Sequence, residues 1–332
     1  MKAIIPVAGV GTNLRPLTYT QPKPLIPVAG KPIISFIIDQ LQSIGVQDFV
    51  FVIGYLGEKI KHYITETYPD IQSTFVHQEK RLGTGHAIWT AREALKDSEE
   101  LLIFFGDTIV ELDMEAMKQA TVSCLATHPV DDPREFGVVE LDDDGNIIKL
   151  VEKPRIPKSN LGMVGFYKIK EVNALLEGLQ YNIENDIKTD DEYQLTDGLM
   201  RMLERGIPFV TLPVENWFDC GQYDVLLKTN AIFLDKEGYA SDDLPAFDNS
   251  IIIHPVSIGK YCQITNSIIG PHVSIGDAAQ IDGAILKESI IGNYVSLQEV
   301  VLKNSVIGND TSISGAAQKL NIGDNTAIDF SQ

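Results

Sequence analysis

Two different hydrophobic periods divide the chain. In the first part, short apolar runs alternate with stretches in which apolar residues recur at helical spacing. The runs 3–7, 49–53 and 101–105 are typical of buried strands, whereas residues 33–41 repeat isoleucine on one helical face before a stop signal at Gly45. Strands that alternate with helices predict a mostly parallel sheet covered on both faces, with ligands beyond the carboxyl ends of its strands.

Two more helices and one hairpin complete this first part. Residues 56–68 and 83–95 carry helical patterns. The segment 136–154 interrupts the alternation, because its apolar residues flank Asp144-Gly145, a dipeptide suited to a tight turn between antiparallel strands. The sheet is therefore predicted to be mixed, and the fold class α/β with a Rossmann-like sheet flanked by helices.

After about residue 245 the hydrophobic period becomes six. Ile-Gly pairs begin at Ile258, Ile269, Ile275, Ile291, Ile307 and Ile322, and apolar residues follow six positions later at Ile264, Ile275, Ile281, Leu297, Ile313 and Ile328. This spacing is typical of a parallel β-helix built from stacked hexapeptide coils, with a β-sandwich as the alternative. The acidic stretch 235–247 then separates a predicted first domain, 1–235, from a β-helix domain, 248–330.

Composition and charge exclude several classes of function. The chain has 332 residues, of which 44% are hydrophobic, and its net charge of −19 disfavours a general nucleic-acid partner. Cys124, Cys220 and Cys262 are too scattered for a disulfide framework or a paired metal site. No signal-peptide pattern and no run of 18 apolar residues occurs, so we expect no membrane partner and a cytoplasmic location.

A glycine-rich loop follows the first predicted strand. Gly9-Val10-Gly11 is followed by Thr12, Arg15 and Lys23. It is not a dinucleotide fingerprint, since Leu14 stands where a third glycine is needed, and the chain has no Walker string. Freed backbone amides and two cations could cradle a phosphate chain. On these residues alone, a phosphate site and a structural turn remain equally open.

The motifs together resemble those of the sugar nucleotidyltransferases, also called nucleoside-diphosphate-sugar pyrophosphorylases. The strings AGVGTNLRP and QPKPL resemble the opening signature, and later motifs follow in the family's order. The resemblance covers essentially the whole chain, including the left-handed β-helix of the longer members. It implies that a sugar 1-phosphate attacks the α-phosphorus of a nucleoside triphosphate, that pyrophosphate leaves, and that Mg²⁺ assists.

The resemblance also implies roles for individual residues. The implied catalytic residues are Arg15, Lys23 and Lys153, and the implied metal ligands are Asp107 and Asp219. The implied nucleotide-binding residues are Ala8, Gly9, Gly11, Thr12, Gln78, Gly83 and Thr84. The implied sugar-binding residues are Gly137, Glu152, Met163 and Gly165.

Some of these residues have a physical reading of their own. The amide of Gln78 offers an acceptor and donors that match the N3–H and O4 edge of uracil or thymine, which favours UTP or dTTP. Asp107 ends a buried strand and would face the ligand edge of the sheet, although a turn-starting aspartate is the alternative. Trp217 is interpreted as core packing, and Thr196 and Asp197 as a capping turn before a helix.

One departure from the family pattern keeps other functions open. Asn13 stands where the family has an arginine that contacts the triphosphate. The alternatives are a mannose-1-phosphate guanylyltransferase, a non-catalytic regulatory homologue, and a hexapeptide acyltransferase that uses His254 or His272. Glucose 1-phosphate is the favoured sugar substrate. We also expect a homo-oligomer formed through the β-helix.

Overall fold

The structure, a computed structural model, describes residues 1–315. These residues form one unit from Met1 to Thr229 and a second unit that begins at Asn230. The division into domains 1–235 and 248–330 stays a prediction, and Ile322, Ile328 and the end of the second domain lie outside the described residues.

Strands and helices alternate through the first unit, as the hydrophobic pattern predicts. Its strands are β1 (Lys2–Pro6), β2 (Pro27–Val28), β3 (Lys31–Pro32), β4 (Asp48–Ile53), β5 (Gln72–His77), β6 (Leu101–Phe104), β7 (Thr108–Glu111), β8 (Ser123–Pro129), β9 (Gly137–Leu141), β10 (Ile147–Glu152), β11 (Leu161–Ile169), β12 (Phe209–Pro213) and β13 (Asn216–Asp219). The helices are α1 (Ile33–Ser43), α2 (Gly57–Thr67), α3 (Thr84–Thr90), α4 (Arg92–Leu95), α5 (Met114–Gln119), α6 (Val172–Glu184) and α7 (Leu195–Glu204), and α8 (Tyr223–Leu234) includes the boundary between Thr229 and Asn230. Short 3₁₀ turns occur at Thr12–Leu14, Leu17–Tyr19, Lys23–Leu25 and Pro133–Glu135.

The main sheet is mixed. Its strand order is β10-β9-β11-β6-β1-β4-β5, with β8 paired to β11 and β12 to β8. Strands β6, β1, β4 and β5 run parallel, whereas β9 and β10 form the predicted antiparallel hairpin. Successive strand residues point to opposite faces, so that Ile4 and Val50 join one buried cluster while Ile5 and Phe51 join the other. Both faces of the sheet are therefore covered.

The helices differ from the sequence pattern in one place. The helix predicted over 83–95 is broken into α3 and α4 at Ala91. The backbone of Ala91 has a φ of −87° and a ψ of 6°, and its amide donates to the carbonyl of Ile88, three residues earlier, as in a tight turn. Among the helices within residues 1–315, none combines the length and the apolar character that crossing a bilayer requires.

The second unit contains a parallel β-helix, which confirms the predicted fold class. Three sheets of four parallel strands follow one another, and paired strands lie 17 or 16 residues apart in sequence. Their strands are β14 (Ile251–Ile252), β15 (Val256–Ile258), β16 (Gln263–Thr265), β17 (Ile268–Ile269), β18 (Val273–Ile275), β19 (Gln280–Asp282), β20 (Ile285–Lys287), β21 (Ile290–Ile291), β22 (Ser296–Gln298), β23 (Val301–Lys303), β24 (Val306–Ile307) and β25 (Ser312–Ser314).

Stacked aliphatic residues fill the interior of the β-helix. Ile264, Ile281 and Leu297 are paired in register and almost completely buried. The glycines of the Ile-Gly pairs lie at corners with no room for a side chain. At Gly276, for example, a Cβ would lie 2.3 Å from Oδ1 of Asn293 in the next coil. That Asn293 oxygen accepts a hydrogen bond of 2.8 Å from a backbone amide of the preceding coil. The six-residue period therefore reflects both inner packing and tight corners.

We expect the interior aliphatic residues to hold the β-helix together. Replacing the fully buried Leu286 with alanine should lower the free energy of unfolding by about 2–5 kcal/mol, since it removes packed methyl groups and leaves a cavity. Denaturant unfolding monitored by circular dichroism measures this change. Lys287→Ala is the matched control, because Lys287 is the exposed next residue of β20. Equal stability of the two variants would contradict the packing account.

Candidate active site

A cavity of about 670 Å³ opens where the parallel strands of the first unit end. The loops that follow β1, β5 and β6 all contribute to its wall. Of the residues predicted for the site, the ones that line this cavity are Ala8, Gly9, Gly11, Thr12, Lys23, Gln78, Gly83, Thr84, Asp107 and Asp219. The position agrees with the rule that ligands of such sheets bind beyond the carboxyl ends of the strands.

A lysine lies between two carboxylates in this cavity. Nζ of Lys23 is 2.7 Å from Oδ2 of Asp107 and 3.7 Å from Oδ1 of Asp219. The Lys23 side chain is only 12% exposed. One ammonium and two carboxylates leave a net charge of about −1 in the cluster, so the cavity favours a further cation.

Strand pairing explains why residues so distant in sequence meet. Strand β13 pairs antiparallel with β7, with Asp219 opposite Thr108. The amide of Cys220 also donates a hydrogen bond of 3.2 Å to the carbonyl of Asp107. The two carboxylates therefore leave neighbouring backbone positions, and the turn Lys23–Leu25 brings the ammonium to them. Cys220 itself is completely buried, as expected from its sequence context.

The three charges shift one another's pKa values. Burial acts to lower the pKa of Lys23, but attraction to Asp107 and Asp219 outweighs it and the net shift is upward. Burial acts to raise the pKa of Asp107, but Lys23 lowers it below its ordinary value. The pKa of Asp219 is raised, first by burial and then by repulsion from Asp107. Lys23 thus compensates one carboxylate well and the second incompletely.

The carboxylate pair fits a divalent cation held jointly with substrate. Two carboxylates are hard oxygen ligands of the kind that Mg²⁺ prefers, and Mg²⁺ takes its other ligands from water and phosphate. No cluster of three or more His, Cys, Asp or Glu side chains suited to a metal occurs among residues 1–315. Protein ligands alone would therefore leave most of the coordination sphere of such an ion to a bound phosphate and to water.

Contacts within the protein fix the conformation of the glycine-rich loop. Gly11 has a φ of +66°, and a Cβ there would lie 3.0 Å from Cγ2 of Thr18 and 3.2 Å from Cβ of Lys23. The Thr18 hydroxyl donates a hydrogen bond of 2.8 Å to the carbonyl of Gly11. The loop is therefore a structural turn that also lines the cavity. The structural turn and the phosphate site, which the sequence left open as alternatives, are thus compatible.

The side-chain amide of Gln78 has its nitrogen engaged in contacts with the protein and its oxygen available to a ligand. Its Nε2 donates to the carbonyl of Gly83 at 3.3 Å and lies 3.0 Å from Nδ1 of His86. The carbonyl can only accept, which fixes the orientation of the amide. Burial lowers the pKa of His86, so its neutral ring accepts at Nδ1. Both donors of Gln78 are thus engaged, and only its oxygen remains for a ligand.

Gly83 and Thr84 serve the protein as well as the cavity. Gly83 has a φ of +106°, and a Cβ there would lie 2.6 Å from the carbonyl oxygen of Tyr193. The Thr84 hydroxyl donates to Oε1 of Gln194 at 3.1 Å and accepts from the amide of Leu195 at 3.0 Å. The glycine is therefore required by the close Tyr193 backbone, whereas the sequence reading attributed it to a bound base.

A second cavity, of about 190 Å³, shares Asp107 and Asp219 with the first. The four residues predicted to bind sugar all line it: Gly137, Glu152, Met163 and Gly165. Gly137 keeps it open, because a Cβ there would lie 2.5 Å from Cε of Met163 and 2.9 Å from Oε2 of Glu152. Trp217 also lines this cavity and packs edge-on against Phe136, so it is more than core packing.

Glu152 is held by a residue that the sequence reading treated as structural. The hydroxyl of Thr196 donates a hydrogen bond of 2.6 Å to Oε2 of Glu152. Burial raises the pKa of Glu152, and the Thr196 hydrogen bond partly opposes that rise. The predicted capping role of Thr196 and Asp197 is wrong, since α7 begins at Leu195, which places both residues inside the helix, and the amide of Leu195 donates to the Thr84 hydroxyl. Instead, Asp197 accepts a hydrogen bond of 3.0 Å from Thr189.

Two predicted catalytic residues, Arg15 and Lys153, are absent from the described walls of both cavities, although the charge of Lys153 acts to lower the pKa of Glu152, which lines the smaller one. The guanidinium of Arg15 lies 5.1 Å from the ring centre of Tyr19, so the side chain turns to that ring. Lys153 is exposed, with a backbone φ of +40°. In the part of the chain that the structure describes, neither residue contributes to the walls of the two cavities. The structure thus brings Lys23 to the carboxylates but not Arg15 or Lys153.

Other residues that line the larger cavity were not singled out from the sequence as part of a site. Those with charged or amide side chains are Arg81, Glu135, Glu192 and Gln222, and Asn13, the departure from the family pattern, also lines the cavity. Arg81 was the most accessible to prediction, because it follows Gln78 by three residues in the loop before α3. The candidate acyltransfer base His272 belongs to the second unit, where its Nε2 lies 3.0 Å from Oδ1 of Asp235.

Comparison with known proteins identifies the family of this chain. The family described as Nucleotidyl transferase matches residues 2–236, and the chain belongs to this family.

Two named relatives are covered by this chain to different extents. The bifunctional protein GlmU of Methanococcus maripaludis is 38% identical over 239 residues, which are 71% of this chain and 55% of GlmU. The chain thus spans about half the length of its GlmU relatives. The glucose-1-phosphate thymidylyltransferase of Streptomyces antibioticus is 29% identical over 316 residues, covering 88% of this chain and 87% of that protein.

A solved structure supports the fold of the first unit. UDP-glucose pyrophosphorylase complexed with UDP-glucose matches 70% of this chain and 97% of its own, with a TM-score of 0.61 at 22% identity.

We expect Thr196 to control the ionisation of Glu152. The Thr196→Val variant loses a hydrogen bond that stabilises the ionised carboxylate, so the already raised pKa of Glu152 should rise further. Carbon-13 NMR titration of glutamate-labelled protein measures it, with Glu152→Gln assigning the signal. Thr189→Val is the matched control, because it removes the hydrogen bond to Asp197 and leaves that to Glu152. An unchanged or lowered pKa in Thr196→Val would contradict this account.

Proposed function

We propose that this chain joins a nucleoside triphosphate to a sugar 1-phosphate and releases pyrophosphate. The observation that carries the proposal is that the larger cavity and the smaller one share Asp107 and Asp219. Two polyanionic substrates can meet only where their charge is compensated. Lys23 carries positive charge at this position, and the shared carboxylates could hold a cation there. We therefore assign this position to the contact between the nucleotide in one cavity and the sugar phosphate in the other.

The reaction needs positioning more than proton transfer. An oxygen of the sugar phosphate forms a bond to the α-phosphorus, and the bond from that phosphorus to the pyrophosphate oxygen breaks. The nucleophile is already an anion and pyrophosphate leaves as an anion, so no protein base takes part. Lys23 is the ammonium that the structure places beside the shared carboxylates, and we assign it to the phosphates at the reacting centre.

Asp107 and Asp219 are the residues that would hold a divalent cation, for which we propose Mg²⁺. When bound, this ion supplies positive charge that neutralises the phosphates and helps the pyrophosphate to leave. The raised pKa of Asp219 supports the assignment, because a nearby cation would relieve its repulsion from Asp107. The remaining coordination would come from phosphate oxygens and water, as the carboxylate pair alone requires.

Gln78 is assigned to the base. Its donors are engaged within the protein, so its oxygen accepts from a ring N–H of the base. Uracil and thymine carry such a donor at N3, whereas cytosine and adenine carry an acceptor at the equivalent position. We therefore favour UTP and dTTP. Guanine also has a ring N–H, which keeps GTP, and with it mannose 1-phosphate, as the alternative pair of substrates.

Glu152 is assigned to the sugar hydroxyls. It lines the smaller cavity beside Gly137, and Thr196 fixes one of its oxygens. The other oxygen can accept from a hydroxyl of the sugar, and Met163 and Gly165 contribute the apolar wall. We favour glucose 1-phosphate, because the thymidylyltransferase relative that covers most of this chain is named for it.

Pyrophosphate release tests the proposed function. With Mg²⁺, UTP or dTTP, and glucose 1-phosphate, the protein should release pyrophosphate, and Asp107→Asn or Asp219→Asn should lower the rate at least about a hundredfold, since each removes a carboxylate ligand of the proposed cation. Asp131→Asn is the matched control, because Asp131 is exposed and lies outside both cavities within the described residues. A fully active Asp107 or Asp219 variant would refute the assignment.

The alternatives give different results in the same assay. A regulatory homologue would bind the triphosphate in a calorimeter but release no pyrophosphate with any of several sugar phosphates. A guanylyltransferase would release it only with GTP and mannose 1-phosphate. An acyltransferase would consume acetyl-CoA.

The β-helix carries a surface suited to self-association. Its first sheet presents an aliphatic ladder, defined as Ile251, Ile268, Ile285 and Val301, which pair in register along the outer face. Val301 is 75% exposed and Ile251 is 59% exposed. The sheet of β16, β19, β22 and β25 instead turns glutamine, threonine, aspartate and serine outward. An exposed apolar stripe of this kind favours association.

We propose that the aliphatic ladder joins copies of this chain. The outward charges on its own strands are Lys287 and Lys303, and the carboxylate of Glu288, directly after β20, lies 3.2 Å from Nζ of Lys287 and 3.9 Å from Nζ of Lys303. Two ammonium groups and one carboxylate leave a net charge of about +1 here, so a second copy of a chain that carries −19 meets less repulsion at this face than at an acidic one. This assembly would satisfy the prediction of a homo-oligomer formed through the β-helix.

Charge on the aliphatic ladder should separate the copies. The double variant Ile285→Glu with Val301→Glu places two carboxylates on the face, and light scattering after size-exclusion chromatography should then give the mass of one chain. Gln280→Glu is the control, because Gln280 is exposed on the polar sheet. A wild-type protein of single-chain mass, or an oligomer that survives the double variant, would contradict the proposal.

A further inference from the structure

The larger cavity has more acidic than basic side chains. Asp107, Glu135, Glu192 and Asp219 line it, whereas Lys23 and Arg81 are the cations among its described lining residues. A nucleoside triphosphate brings several further negative charges. Each cation of the cavity that contacts such a ligand offsets part of this negative charge.

The two cations differ in their existing partners. Lys23 is already held by Asp107 at 2.7 Å and lies 3.7 Å from Asp219. Arg81 is exposed, and within residues 1–315 its guanidinium has no hydrogen bond or ion pair with another side chain. Arg81 therefore has its full charge and all its donors free for a ligand.

The other candidate cations are excluded by position. Arg15 lies against the ring of Tyr19 and Lys153 lies at the surface, and neither belongs to the described walls of the cavity. The loop residue that does line the cavity, Asn13, is neutral. The charge that an arginine at position 13 would supply is thus missing from the glycine-rich loop.

We propose that Arg81 binds the phosphates of the nucleoside triphosphate and supplies the charge that Asn13 lacks. A guanidinium is always charged at neutral pH and can donate two parallel hydrogen bonds to a phosphate. Arg81 lies on the loop between Gln78 and Gly83, and this loop and the glycine-rich loop line the same cavity. The nucleotide would then be held between the two loops. This proposal rests on the proposed function.

Nucleotide binding tests the role of Arg81. In calorimetric titrations with UTP and Mg²⁺, Arg81→Ala should weaken binding about ten- to a hundredfold, the loss expected for one charged hydrogen-bonded contact. Uridine should bind equally to both proteins, because it carries no phosphate. Lys80→Ala is the matched control, since Lys80 precedes Arg81 in the loop and does not belong to the described lining of the cavity.

Kinetics should show the same selectivity. In Arg81→Ala the KM for UTP should rise while the KM for glucose 1-phosphate stays within about twofold, and Asn13→Arg in the same chain should restore part of the lost affinity for UTP. In the otherwise unchanged protein, Asn13→Arg should raise the rate of turnover.

Three results would overturn the proposal. The first is that Arg81→Ala binds UTP as tightly as the unchanged protein. The second is that its affinities for uridine and UTP fall equally, which would assign Arg81 to the base or the ribose. The third is that adding Asn13→Arg to Arg81→Ala restores no affinity for UTP. If the unchanged protein binds UTP but releases no pyrophosphate, the proposed function fails while the binding comparison still decides the role of Arg81.

Discussion

The ion pair of Lys23 with Asp107 and Asp219 is the interaction on which the site depends. It joins three segments that are far apart in sequence: the turn at 23–25, the turn between β6 and β7, and the end of β13. Because the two carboxylates exceed the single ammonium, the cluster is stable only with help from its surroundings. That incomplete compensation is the reason why we propose that a cation and anionic substrates bind there together.

The fold supplies the geometry for this cluster in two steps. Parallel strands β6, β1, β4 and β5 end at one edge, where their loops form the larger cavity. The antiparallel strands β9, β10 and β11 then carry Gly137, Glu152 and Met163 to the smaller cavity. A mixed sheet thus provides two adjoining compartments, one built from loops and the other from strand faces.

Much of this architecture can be predicted from the sequence, because it follows from the spacing of hydrophobic residues along the chain. The apolar runs predict β1, β4 and β6 to within one residue at either end, and the period of six predicts the β-helix. Side-chain direction is not visible in the same way. Arg15 and Lys153 have the residue type and motif position of phosphate ligands, yet the first lies against Tyr19 and the second faces solvent. Thr196 was misread because its partner, Glu152, lies 44 residues away in sequence.

The most direct test of the central claim is where a divalent cation binds. Crystals grown with Mn²⁺ and a non-hydrolysable analogue of UTP would locate the metal through its anomalous scattering. We expect a peak between the carboxylates of Asp107 and Asp219, with phosphate oxygens among its other ligands. A peak elsewhere, with both carboxylates still facing Lys23 alone, would contradict the account.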